Sequence, residues 1–151
     1  MPETIAVPEV GTVIPDLPLI GPSTTSTMRE VLDSRRAVVF FLRAADCAIC
    51  LGHVKKLLRM EQAGQLRDAH VVLIAPGDRD AAAELARRVA NPRASTWASG
   101  EHHADIGLGK FLAVQHSGTF VVDEDGRILV RRTSVLPMSS FSGDEVVAAL
   151  G

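Results

Sequence analysis

Two unbroken apolar runs stand out along a chain that is otherwise mixed. Ala37-Val38-Val39-Phe40-Phe41-Leu42 lies between Arg35-Arg36 and Arg43, and His70-Val71-Val72-Leu73-Ile74-Ala75 is ended by Pro76-Gly77. Both have strand length, are rich in β-branched or aromatic residues, and lack polar alternation, which predicts strands buried on both faces in the middle of a sheet. Between them Leu51, Val54, Leu57 and Leu58 recur at helical spacing while Lys55, Lys56 and Arg59 take other faces and Gly64 supplies a stop. An amphipathic helix of roughly four turns follows. Asp78 to Val89, rich in Ala and Arg with an acidic first turn, predicts a second helix.

The flanks are less regular. Five prolines and two glycines in the first two dozen residues exclude helix there and favour an extended lead-in with at most short strands. The hydroxyl cluster Thr24-Thr25-Ser26-Thr27 can cap one or two helical turns over Met28-Arg29-Glu30-Val31-Leu32. Arg93 to Trp97 reads as a short strand and Asp105 to Phe111 as a short helix interrupted by glycine. Gly118 to Asp123 and Arg127 to Arg131 form two strands joined through Glu124-Asp125-Gly126, and Gly143 to Leu150 closes the chain as a helix. The order β-α-β-α, hairpin, helix predicts an α/β fold of thioredoxin-like type: one domain over residues 1–151, with a mixed central sheet flanked by helices on both faces.

Composition narrows the function. With 16 Lys and Arg against 18 Asp and Glu, net charge −2, and no basic stripe, the chain lacks the surplus that nucleic acid binding needs. No run approaches the roughly 18 apolar residues of a membrane span, and no basic stretch leads into an apolar one at the amino terminus, so the expected address is the cytoplasm. At 151 residues and 46% hydrophobic, the chain can bury a core without staples. Its only two cysteines stand three apart, at Cys47-Ala48-Ile49-Cys50. Such spacing next to a βαβ pattern reads as a redox or metal pair.

Asp46, a favoured N-cap type, would put Cys47 at the first helical position and Cys50 one turn further in. A helix amino terminus favours thiolate over thiol. Cys47, at the exposed helix start, is therefore the expected nucleophile, and Cys50, turned toward the apolar face, the resolving thiol. Arg43 at the strand end is either a support for the thiolate or a solvated cation, and Asp46 would oppose it through like charge.

In these features the chain resembles the alkyl hydroperoxide reductase/thiol-specific antioxidant family, the peroxiredoxins and their redoxin relatives. The resemblance rests on Gly11 to Asp16 (Gly-x-x-x-Pro-Asp), on Val38 to Arg43 leading into Cys47-x-x-Cys50, and on Gly118-Thr119-Phe120-Val121-Val122-Asp123-x-Asp125-Gly126 followed by Ile128. It implies an antioxidant oxidoreductase with Cys47, Cys50 and Arg43 at the site and no cofactor. The oxidant would be a peroxide or a protein disulfide, and the electron donor a thiol protein such as a thioredoxin. It leaves the oligomeric state open, a dimer included. The family's Pro-x-x-x-Thr/Ser-x-x-Cys loop is absent: Phe40 and Ala44 stand at its positions counted from Cys47, and Cys47 and Arg43 counted from Cys50. Ser117 stands where the family carries an arginine and thioredoxins a cis-proline. Peroxide reduction, protein disulfide exchange and a non-catalytic binding module all remain open readings.

Other chemistry has weaker signals. Cys47, Cys50 and His53 form a Cys-x-x-Cys-x-x-His string, but on one helix His53 points about 240° around the axis from Cys47, and no further pair completes a zinc site. His102-His103 reads as a solvated loop pair, His70 and His116 as surface or edge residues, and Trp97 as a packing residue. No glycine-rich phosphate loop is present.

Overall fold

The computed structural model describes residues 8–108, 110–111, 114–134 and 136–151. Its centre is β3 (Ala37–Phe41), buried at every position, parallel to β4 (His70–Ala75) and antiparallel to β8 (Ser117–Val122). A strand with partners at both edges and cover on both faces has no wet side, which is why its sequence does not alternate. β4 pairs in parallel with β5 (Ala94–Ala98), and β8 pairs antiparallel with β9 (Ile128–Ser134). At the far edge β1 (Pro18–Ile20) and β2 (Thr25–Thr27) make a small hairpin, joined to β5 through Ile20 and Ala98. The order across the sheet is β2-β1-β5-β4-β3-β8-β9. This is the expected mixed sheet, with an antiparallel addition at the amino-terminal edge that no local pattern announces.

Helix starts follow the capping chemistry of the chain. Thr27 Oγ1 accepts from the Glu30 N–H to open α1 (Met28–Leu32), and Asp78 Oδ1 accepts from the Asp80 N–H to open α3 (Arg79–Val89). Between them runs α2 (Ala48–Gln62), and Ser142 caps α4 (Gly143–Leu150). The β8–β9 turn is tied by Asp123, whose Oδ1 accepts from the Asp125 and Arg127 N–H groups, both at 2.9 Å, while Gly126 takes the left-handed conformation (φ +78°).

The stretch Asp105 to Phe111 is not the helix its pattern predicts. A 3-10 helix spans His102–Ile106, Gly107 (φ +79°) returns its N–H to the Ala104 carbonyl and ends it, and β6 (Lys110–Phe111) pairs with β7 (Val114–Gln115). A left-handed glycine closes a helix instead of continuing it; residue 109 lies outside the described residues.

The sheet separates two cores. Val38, Phe40, Leu42 and Val121 pack against Cys50, Val54, Leu57, Leu85 and Val146 of the helices. On the other face Val39, Phe41, Phe120 and Ile74 meet Ile14, Leu17, Met28 and Leu32 of the lead-in and α1, together with Ile106 and Leu108, and Trp97 packs at the margin. Among the described residues no helix is long and apolar enough to cross a membrane.

Candidate active site at the strand-to-helix turn

Both cysteines lie where β3 leaves the sheet. The Leu42 N–H still joins the ladder through the Ile74 carbonyl at 2.8 Å; the chain then turns over Arg43 to Asp46, closed by the Cys47 N–H donating to the Ala44 carbonyl at 3.2 Å. Cys47 itself, not Asp46, is the N-cap of α2. Its backbone is extended (φ −67°, ψ 112°), its Sγ accepts from the Cys50 N–H at 3.3 Å, and its carbonyl accepts the first helical bond from Leu51 at 2.9 Å. The tight turn uses up the position before the helix, so Asp46 falls outside it and is exposed. The expected exposure of Cys47 is also corrected. Cys47 is only 4% exposed and Cys50 fully buried, because both belong to the apolar core between sheet and helices.

Both thiols are free, and their electrostatics differ. Burial pushes the Cys47 thiol up, but hydrogen bonds from the Cys50 side chain and backbone, a hydrogen bond from Arg43 and the Arg43 charge together outweigh it, so its pKa is lowered. Burial, followed by the hydrogen bond to Cys47 and the Cys47 charge, pushes Cys50 up to about 12, against a lowering hydrogen bond from the Arg43 N–H, which reaches Cys50 Sγ at 3.4 Å. The pair is therefore asymmetric, with Cys47 biased toward thiolate and Cys50 held as the protonated thiol. Such a pair can offer a thiolate nucleophile beside a protonated second thiol.

The histidines divide. His53 lies between Phe40 and Phe141, ring centroids 6.0 and 5.4 Å away, and its Nε2 donates to the Pro137 carbonyl at 2.8 Å, a tether from α2 to the 3-10 helix Pro137–Ser139. It is not brought to the cysteines, and among the described residues no three His, Cys, Asp or Glu side chains gather as metal ligands. The solvated pair expected at His102-His103 is half right. His102 meets Asp105 at 2.5 Å on the surface, but His103 is 1% exposed, because the 3-10 helix turns it inward to Ser99 Oγ at 2.5 Å and the Leu42 carbonyl at 3.0 Å. No sequence signal marks that burial, since the partner carbonyl is 61 residues away. His70 is half-buried at the start of β4, and burial lowers its pKa.

Ser117 opens β8 one residue beyond the Phe41–Gly118 pair, which places it beside the end of β3. It is 1% exposed, and its Oγ and the neighbouring His116 Nε2 are buried without a hydrogen-bond partner among the described residues. A cleft of about 610 Å³ at the ends of β4 and β5 is bordered by Pro76, Gly100, Glu101 and Leu108 and by neither cysteine. The thiols thus sit outside it, at the turn, with Ile49 exposed beside them.

A mixed sheet of this order, with the two cysteines opening the helix after the central strand, is a thioredoxin-like fold. Solved structures share it over nearly their whole length. Peroxiredoxin 5 from Alvinella pompejana matches at 18% identity and a TM-score of 0.72, covering 94% of this chain and 97% of that one. A peroxiredoxin-like protein from Aquifex aeolicus matches at 13% identity and 0.76, covering 97% and 88%. The thioredoxin domain of a thiol-disulfide oxidoreductase from Bacteroides vulgatus matches at 15% and 0.62, covering 93% and 94%. At these identities the likeness is one of fold. No protein-family model and no curated protein sequence matches the chain.

Proposed function

We propose that this chain is a thiol-dependent oxidoreductase in which Cys47 attacks a peroxide and Cys50 resolves the product. The observation that carries the reading is the asymmetry of the pair: Cys47 is biased toward thiolate, and Cys50 stays protonated within hydrogen-bonding reach of it. The Cys47 sulfur takes the terminal peroxide oxygen; the S–O bond forms, the O–O bond breaks, and the departing alkoxide or hydroxide takes a proton. Cys50 then gives up its proton and attacks the Cys47 sulfenic acid, forming the S–S bond and releasing water. A thiol protein such as a thioredoxin supplies the two electrons that reopen the disulfide, with exposed Ile49 as an apolar contact at the pair. Arg43 supports the Cys47 thiolate. A reducing compartment, the cytoplasm, keeps both thiols ready.

A second reading, protein disulfide exchange through the same two sulfurs, is favoured by one feature. Ala44 supplies no hydroxyl to polarise an O–O bond at the position where peroxide-reducing relatives carry Thr or Ser. Titrating the reduced protein with hydrogen peroxide, in parallel with an insulin-type disulfide, separates the two by thiol loss. Peroxide consumption with a sulfenic acid trapped at Cys47 in Cys50→Ser is the expected result. Mixed disulfides alone would replace it with the second reading, and inertness to both would reduce the chain to a binding module. Cys47→Ser should lower turnover on the order of 10³-fold or more, whereas Cys50→Ser should keep one round of oxidation and then over-oxidise Cys47.

A further inference from the structure

The peptide unit between Leu42 and Arg43 is hydrogen-bonded at both ends, from opposite sides of the sheet. Its N–H donates to Cys50 Sγ at 3.4 Å, and its carbonyl accepts from His103 Nε2 at 3.0 Å. His103 stands edge-on to Phe41, ring centroids 5.1 Å apart, in the core away from α2. Donation to a carbonyl requires the hydrogen on Nε2, so Nδ1 is an acceptor and takes the hydroxyl hydrogen of Ser99, itself fully buried, at 2.5 Å. Burial holds the His103 pKa down to about 4, so the imidazole is neutral at ordinary pH. An apolar side chain would fill this space without the cost of burying two ring nitrogens. The polar chain Ser99–His103–Leu42 carbonyl ends on the amide whose N–H reaches Cys50 Sγ.

We propose that His103 is a positioning residue for the dithiol: by donating to the Leu42 carbonyl it aims and polarises the Leu42–Arg43 amide, strengthens the N–H bond to Cys50 Sγ, and so stabilises the reduced pair. The role rests on the Cys47–Cys50 disulfide chemistry proposed above. Hydrogen bonds in series reinforce one another in a low-dielectric interior. A thiol sulfur carrying partial negative charge accepts more strongly than a disulfide sulfur, so the chain favours the dithiol over the disulfide. Stabilising the reduced form raises the reduction potential of a pair.

The test is the equilibrium of the native protein and its variants with reduced and oxidised glutathione, read by alkylation mass shift. His103→Phe keeps the ring and removes the donor; it should favour disulfide by about threefold to tenfold, a potential roughly 15–30 mV more negative. His103→Gln, whose amide can still donate, should recover most of that shift, and Ser99→Ala should move the same way by less. A purely structural histidine would lower the denaturation midpoint and leave the potential at its native value in all three, and that result overturns the proposal. Should His103→Phe not fold, Ser99→Ala decides: a more negative potential supports the role, and the native potential overturns it. A native protein that forms no Cys47–Cys50 disulfide overturns the redox reading and this role with it. A normal native disulfide with unmoved variants overturns only the role of His103.

Discussion

The two ends of the central strands treat their polar groups in opposite ways. At the amino end of β3, Arg36 reaches the Leu150 carbonyl at 3.2 Å and Asp68 at 3.0 Å, its own carbonyl accepts from the His70 N–H at 2.8 Å, and the nearby hairpin turn is closed by Asp123. These groups are paired and largely at the surface. At the carboxyl end Cys47, Cys50, Ser99, His103 and Ser117 are all buried, and Ser117 Oγ has no partner among the described residues. Burying polar groups costs free energy unless each is satisfied. The first end keeps its polar groups paired at the surface, and the second gives up some stability to hold two thiols and several polar side chains in a dry turn.

Acid should separate the two ends most strongly. The unfolded chain protonates His103 near its ordinary value of 6.5, whereas the native protein resists until about 4. Below about 6.5 the unfolded state therefore binds a proton that the native state refuses, and stability falls as pH drops through that window by as much as ~3 kcal/mol; above it there is no loss. In urea unfolding across this range, native protein should lose stability relative to His103→Phe as pH falls, and parallel curves would mean that His103 is protonated without cost.

Arg43 offers the next largest effect. Arg43→Met removes the side-chain hydrogen bond and charge that lower the Cys47 pKa while leaving the backbone N–H to Cys50 in place. Alkylation of Cys47 near neutral pH should slow by about threefold to tenfold. An unchanged rate would leave Arg43 as a solvated strand-end cation. A change of comparable size, read in stability, is expected at the buried hydroxyl of Ser117. Ser117→Ala deletes a buried group that nothing among the described residues satisfies and should raise stability by about 1–2 kcal/mol, measured by chemical denaturation. A loss instead would mean that the hydroxyl has a partner, and the contrast between the ends would narrow. Smallest of all, Asp123→Ala at the opposite end should cost about 0.5–1 kcal/mol through the lost turn bonds and leave the alkylation rate of Cys47 as it was.

Much of the fold is written locally. The runs at 37–42 and 70–75, the helix after Cys47, the hydroxyl and carboxylate caps at Thr27 and Asp78, and the acidic turn before Gly126 each depend on neighbours a few residues away, and short-range periodicity or capping chemistry is enough to read them. The spacing of Cys47 and Cys50 likewise shows by itself that two thiols meet at one helix start. What the spacing does not contain is their environment. Cys47 has the extended backbone of a cap, not the first helical position, because the Ala44–Cys47 turn closes ahead of it, and it is buried because the sheet and helices enclose that turn. His103 and His102 are adjacent and identical in sequence, yet one is immersed beside Leu42 and the other lies on the surface. Only the packing of distant segments decides which side chain of such a pair leaves water. Residue types and their local periods belong to the sequence; burial, and with it the proton held by each thiol and imidazole, depends on contacts made across the whole chain.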